Sequence, residues 1–264
     1  MSYLFKAGRI TYGIGLIAYG VLQIYYKDFR RSIVPAWPGW MHTIIPVYII
    51  GGLLILAGLL ISGVLPVQKS TLRNVLLAAG GFFLLCFVCF HVPLNLFVSS
   101  NSPIHLGVWV DSLKALAFCG GALILVSVLP SDRTNNNSFL FLAGRIFFST
   151  TIILFGVSHF YYIDFVSPMV PRWIGMPVFW TQFAGTALIA SGTFIILNIA
   201  SRPVALLQAL MIFSWLIVLH IPRAIENPAA NNGNEIASAF DALLFTGVAL
   251  LVAYRRSKYF KSVV

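Results

Sequence analysis

Ala7-Gly8-Arg9-Ile10 recurs as Ala143-Gly144-Arg145-Ile146, and the residues that follow each copy stay in step. At the same offset Gly20-Val21 matches Gly156-Val157, and Tyr25-Tyr26-x-Asp28-Phe29 matches Tyr161-Tyr162-x-Asp164-Phe165. Val34-Pro35-x-Trp37-x-Gly39 then matches Val170-Pro171-x-Trp173-x-Gly175, and a slightly smaller offset aligns Gly51 and Gly58 with Gly185 and Gly192. Further on, Arg73 and His91 are separated by the same interval as Arg202 and His220, and both histidines open a His-x-Pro step. Ala115-Leu116-x-Phe118-x-Gly120 finally matches Ala242-Leu243-x-Phe245-x-Gly247. Self-similarity of this length in one order reads as a duplication, with copies at residues 1–132 and 133–264.

Around these landmarks the chain is apolar. Of its 264 residues 59% are hydrophobic and 9% charged, where a soluble domain carries about 25% charged residues. Aromatics at 14% suit membrane interfaces lined by Trp and Tyr. A helical span needs about 20 predominantly apolar residues. Such runs lie near 9–26, 43–64, 73–98, 107–129, 140–162, 178–198, 203–221 and 238–254. Polar and turn-forming breaks separate them, among them Lys27 to Pro38, Ser99 to Pro103, Ser131 to Ser138 and Pro222 to Glu235. The runs are continuously apolar and too long for barrel strands. The sequence therefore predicts an all-α polytopic membrane protein of eight transmembrane helices. Four spans per copy is an even number, so both copies enter the membrane from one side as two parallel four-helix repeats.

The formal charge of +10 is a matter of helix ends rather than of nucleic acid. Eight spans put both termini on one side. That side carries eleven basic residues: Lys6, Arg9, Lys69, Arg73, Arg133, Arg145, Arg202, Arg255, Arg256, Lys258 and Lys261. The other side carries five, Lys27, Arg30, Arg31, Arg172 and Arg223, so the loop at 27–42 opposes the trend locally. Basic residues favour the cytoplasm, which predicts an inner-membrane protein with both termini cytoplasmic. No small-residue cleavage site follows the run from Ile10 to Tyr26, so it reads as a retained span.

An ionisable residue within a span is costly and is a functional candidate by default. At a rise of about 1.5 Å per residue, His91 and His220 lie roughly 27 Å beyond Arg73 and Arg202, near the outer end of a hydrocarbon core about 30 Å thick. His159, which replaces Gln23 of the first copy, lies roughly 21 Å beyond Arg145 by the same rise. Asp111 and Lys114 open a span that begins outside, and Asp241 aligns with Lys114. These groups gather in the outer third. Pro93 and Pro222 each deprive a carbonyl beside a histidine, Cys89 and Val218, of its donor. Asp111 and Lys114 share a helix face and can pair. Asp241 has no such partner on its own helix, and Arg223 or a charged His220 is the expected one. The second copy, with His159, His220, Arg223 and Asp241, holds the candidate catalytic set. His91, Asp111, Lys114 and Trp173 are binding candidates, Trp173 either as an interface anchor or as part of a lid.

Arg9 and Arg145 stand just inside the cytoplasmic edge, as lipid-phosphate snorkels or helix-end donors. Cys86-Phe-Val-Cys89 is a C-x-x-C spacing inside the third span. On a helix its two thiols would share a face and can exchange electrons with a quinone-linked partner, although cysteine also packs as a small hydrophobe. No zinc-binding spacing, phosphate loop, dinucleotide fingerprint or nucleophile elbow is present in the sequence.

Three features together resemble the DoxX-like superfamily of membrane proteins. They are the Gly-Arg starts (Gly8-Arg9 and Gly144-Arg145), the first-span ending Gly156-Val-Ser-His159-Phe160, and the glycine-spaced second spans. Members are usually single four-helix units; this chain looks like a tandem pair, with Gln23 departing from the histidine of the pattern. The resemblance implies a redox or quinone link, since some members are membrane subunits of a thiosulfate:quinone oxidoreductase and others assist thiol-redox systems.

Three readings follow. One is a membrane component of a redox system, linked to quinone or to thiol and sulfur chemistry, with a membrane or periplasmic redox partner. Another is a protein that binds or transports a small apolar molecule or lipid. The last is an assembly partner for another membrane protein. No nucleic acid and no metal enter any of them, and quinone is the cofactor the resemblance suggests.

Overall fold

The computed structural model describes residues 3–101, 104–129 and 134–255. Arg133, Arg256, Lys258 and Lys261, the breaks at Pro103 and Ser131, and the boundary between residues 132 and 133 lie outside them. The described residues form helices joined by turns and loops, with no strand among them. Its long helices are α1 (Tyr3–Tyr26), α2 (Ile44–Ser62), α3 (Lys69–Val98), α4 (Leu106–Val128), α5 (Thr134–Tyr161), α6 (Pro177–Leu197), α7 (Ser201–Glu226) and α8 (Asn234–Tyr254). Among the described residues seven of these, α2 to α8, are long and apolar enough to cross a membrane. The chain is a polytopic helical membrane protein. α1 is long enough but is not among the seven, because Arg9, the buried Gln23 and its tyrosines dilute its apolar character.

Two helices form the centre. In α4 and α8, 78% and 72% of the apolar stretch is buried, against 22% to 39% in the other five. The two central helices meet through one face of each, spaced four residues apart as helical neighbours are: Lys114 and Phe118 on α4, Asp241 and Phe245 on α8. Around the Phe118–Phe245 contact, Tyr19, Phe83 and Phe148 add ring contacts with centroids 5.2 to 6.0 Å apart. α1 packs on α2 and α8, α5 on α6 and α4, α3 on α4, and α7 on α8.

Small residues make the closest crossings, as packing between apolar helices in lipid requires. On the α1–α2 face, a Cβ at Gly13 would stand 2.7 Å from the Gly58 carbonyl oxygen. Gly156 and Gly185 face each other in the same way between α5 and α6. Gly8 meets Gly247 between α1 and α8, and Gly144 meets Gly120 between α5 and α4. α2 stops at Gly63, whose φ of +89° is a left-handed cap that a side chain would strain. Arg9 donates to the carbonyls of Leu60 and Ile61 beside this cap, so helix-end binding is its role.

The two His-x-Pro steps do not simply kink their helices. α3 widens to a π-turn over Phe87–His91, and α7 does so over Leu216–His220. In each the next amide reaches back five residues, Val92 to Phe87 and Ile221 to Leu216. Proline at the following position supplies no N–H, and one wide turn absorbs the mismatch. Each histidine ends its π-turn.

The rings of Phe5 and Tyr254, 5.5 Å apart, put both ends of the described chain on one side of the bundle. On the far side the 27–42 segment folds back on itself. His42 bridges Asp28 Oδ1 at 2.8 Å and the Pro35 carbonyl at 2.7 Å. Arg30, buried, donates to the Asn232 carbonyl before α8. That bond gives Arg30 a structural task on the side where the loop opposes the charge trend.

Candidate functional site

Asp111 and Lys114 sit in the first turns of α4, and Asp241 in the second turn of α8, all toward the far side. Lys114 Nζ lies 3.0 Å from Asp241 Oδ2 and 3.5 Å from Asp111 Oδ1. The Asp241 contact is a close ion pair made through Oδ2. Oδ1 of Asp241 is held instead by the Tyr19 hydroxyl, which donates to it. The Tyr19 oxygen lies 3.2 Å from Ser32 Oγ, and Ser32 donates to Asp111 Oδ1 at 3.3 Å. The result is a ring of five groups from four segments: α1, the 27–42 segment and the two central helices. Its inner member is buried, Asp241 being 5% exposed, while the Asp111 side chain is 38% exposed. Removing one partner of such a buried pair strands the other charge, so these groups stand or fall together.

Three cavities meet here. A chamber of about 360 Å³ is lined by Lys114, His159, His220 and Asp241 together with apolar side chains. Toward the far side it shares Val110, Lys114, Ser158 and Val166 with a polar vestibule of about 830 Å³, where Arg30, Arg31 and Asp111 lie. Toward the lipid it shares Trp180, Met211 and Trp215 with a groove of about 620 Å³ between α6 and α7. Lys114 is thus common to an apolar chamber and a polar antechamber. The chamber lies within the 300–1,000 Å³ range of small-molecule sites, with few polar groups converging on a mostly apolar lining.

The histidines divide. His159 donates its Nδ1–H to the Phe155 carbonyl at 2.7 Å, because a carbonyl can only accept; its Nε2 is left as an acceptor. His220 lines the same chamber. His91, equivalent to His220 in the sequence repeat, is buried against the backbone of Ser32 and Ile33 and lines none of the three cavities. The 27–42 segment covers it.

Other candidates fall elsewhere. Arg223 is not the partner of Asp241: it forms a two-pronged pair with Glu235, Nε to Oε2 at 3.0 Å and Nη2 to Oε1 at 2.7 Å. Helix α8 starts with Glu235 beside the end of α7, so the nearer carboxylate takes the guanidinium. Trp173 is exposed at the surface and lines none of the cavities, although its neighbour Ile174 borders the groove. The two thiols of the C-x-x-C spacing do not share a face. Cys86 is fully buried and Cys89 is exposed; the π-turn that begins at Phe87 rotates the second thiol away from the first.

Tyr19, Ser32, Trp180 and Trp215 belong to the site and were not singled out by sequence. The signal for the central pair was there. Lys114 and Asp241 hold the same position in the two copies with opposite charge, and equivalent positions on the two central helices come face to face. Tyr19 and Ser32 gave no signal, because a tyrosine in a span and a serine in a loop are common.

Comparison with family models, with curated proteins and with solved structures finds no match to this chain.

Proposed function

We propose that this protein is a membrane component of a redox system that holds the head group of a quinone-class molecule beside the Lys114–Asp241 pair. The observation that carries the reading is the position of that pair, between an apolar chamber joined to a lipid-side groove and a polar vestibule on the far side. A quinone-class ring presents carbonyls or hydroxyls on a flat apolar body with an apolar tail. Lys114 donates, Asp241 and His159 Nε2 accept, and the groove suits the tail. A carrier of small amphiphiles without redox chemistry is the second reading, favoured by the chamber's position between the groove and the vestibule.

The architecture we propose with it is eight crossings in two parallel four-helix repeats, residues 1–132 and 133–264, of the DoxX-like kind. Several matches support it. The contacts α1–α2, α3–α4 and α4–α5 have counterparts in α5–α6, α7–α8 and α8–α1. The aligned glycines Gly8 and Gly144 meet the aligned glycines Gly247 and Gly120. Both His-x-Pro steps carry the same π-turn. At 24 residues α1 spans about 36 Å, more than a hydrocarbon core of about 30 Å. The bias of basic residues toward the terminal side supports cytoplasmic termini in an inner membrane.

The test is mass spectrometry of small molecules retained after mild detergent extraction, followed by titration with decylubiquinone. A co-purifying quinone, and saturable binding that is lost in Lys114→Met/Asp241→Leu, are the expected results. Retained phospholipid with no quinone and no saturable binding would replace this reading with the second.

A further inference from the structure

Gln208 lies in the groove between α6 and α7, where the other polar side chains, Ser191 and Ser214, bond the carbonyls of their own helices. It is 2% exposed, and neither Oε1 nor Nε2 of its amide has a hydrogen-bond partner. The groove around it is lined by apolar side chains such as Ala187, Phe194 and Leu207. A buried amide that satisfies neither its donor nor its acceptor is rare in folded proteins and strongly unfavourable. The first half carries Ala79 at the corresponding distance from Arg73.

The position is informative. Met211 and Trp215 follow Gln208 at helical spacings of three and seven, on one face of α7. Both also line the chamber, with Trp180 of α6 beside them. At about 1.5 Å per residue the amide is roughly 10 Å along the helix from Trp215. Gln208, Met211 and Trp215 therefore mark a track from the groove to the chamber.

We propose that Gln208 is the docking point for a quinone-class ring that enters sideways from the lipid, ahead of the chamber. An amide suits this because it works in both directions: Nε2 donates to a quinone carbonyl, and Oε1 accepts from a quinol hydroxyl. One side chain thus holds the molecule whichever redox form arrives, and the apolar groove takes the tail. The proposal rests on the quinone-class reading of the chamber.

The experiment uses the whole protein in lipid nanodiscs and a short-tailed azido-benzoquinone, with labelled residues mapped by mass spectrometry. Wild type labels two places, the chamber around His220 and the groove around Gln208. Gln208→Met, close in shape, loses groove label at least tenfold, keeps chamber label, and melts no lower than wild type without ligand. Lys114→Met/Asp241→Leu shows the converse labelling. Groove label unchanged in Gln208→Met, with the chamber labelled, overturns the docking point and leaves the chamber reading intact. Absence of label from both places in wild type overturns both.

Discussion

Trp180 and Trp215 stand edge to face with ring centroids 6.4 Å apart, and each lines both the groove and the chamber. The pair is the partition between them. An edge-to-face aromatic contact contributes about 0.5–1.5 kcal/mol beyond its buried area. Trp215→Ala therefore speeds entry of an apolar ligand into the chamber by roughly 2- to 10-fold, if opening this contact limits entry. Stopped-flow binding of decylubiquinone reads the change, and an unaltered rate would mean that molecules reach the chamber by another route.

Lys114 is the common partner of two carboxylates. Lys114→Met leaves Asp241 buried with Tyr19 as its remaining contact, and breaking a buried pair from one side costs about 3–5 kcal/mol. Lys114→Met/Asp241→Leu restores most of that loss, since an apolar pair of similar volume is close to neutral. Arg223→Gln is milder, about 1 kcal/mol or less, because that pair is nearer the surface. Thermal unfolding in detergent ranks the three; equal losses for the single and double changes at 114 would show that the pair is not coupled.

The α1–α2 crossing gives a prediction with its own control. A side chain at Gly58 has no room, since its Cβ would stand 2.9 Å from the Ile17 amide nitrogen and closer still to the Gly13 carbonyl oxygen. Gly58→Val forces the helices apart and destabilises by about 1–3 kcal/mol or more. Gly52→Ala, six residues away with nothing within 4 Å of its added Cβ, leaves folding yield unchanged. Size-exclusion profiles of the two variants decide; matching profiles would refute the close approach.

Thiol chemistry separates Cys86 from Cys89. A lipid-soluble maleimide modifies Cys89 in the folded protein and leaves Cys86 and Cys119 untouched until denaturant is added. Intact-mass spectrometry counts the additions. Modification of Cys86 under native conditions would bring the two-thiol redox reading back.

Helix positions were legible because apolar runs of about 20 residues leave few alternatives. The far-side clustering of Lys114, His159, His220 and Asp241 was legible too, since distance from an inner arginine fixes the depth of the histidines, and the start of a span with the repeat alignment fixes that of Lys114 and Asp241. Azimuth was not. Whether His91 or His220 looks into a cavity depends on which neighbour covers it, and only the folded 27–42 segment shows that. The partner of Asp241 was missed for a similar reason: reasoning along adjacent helices reached Arg223, whereas the contact runs between the two central helices. The separation of Cys86 from Cys89 needed the π-turn, which ideal helix geometry does not contain.

The contact between Lys114 and Asp241 also limits how such a bundle can be assembled. In this geometry a pairing of two first halves would set lysine against lysine at the centre, and two second halves would set aspartate against aspartate. In the proposed two-repeat architecture only unlike halves set Lys114 against Asp241, so joining them in a single polypeptide secures that match. Expressed as separate pieces, the halves would be expected to associate with each other and to reject their own kind.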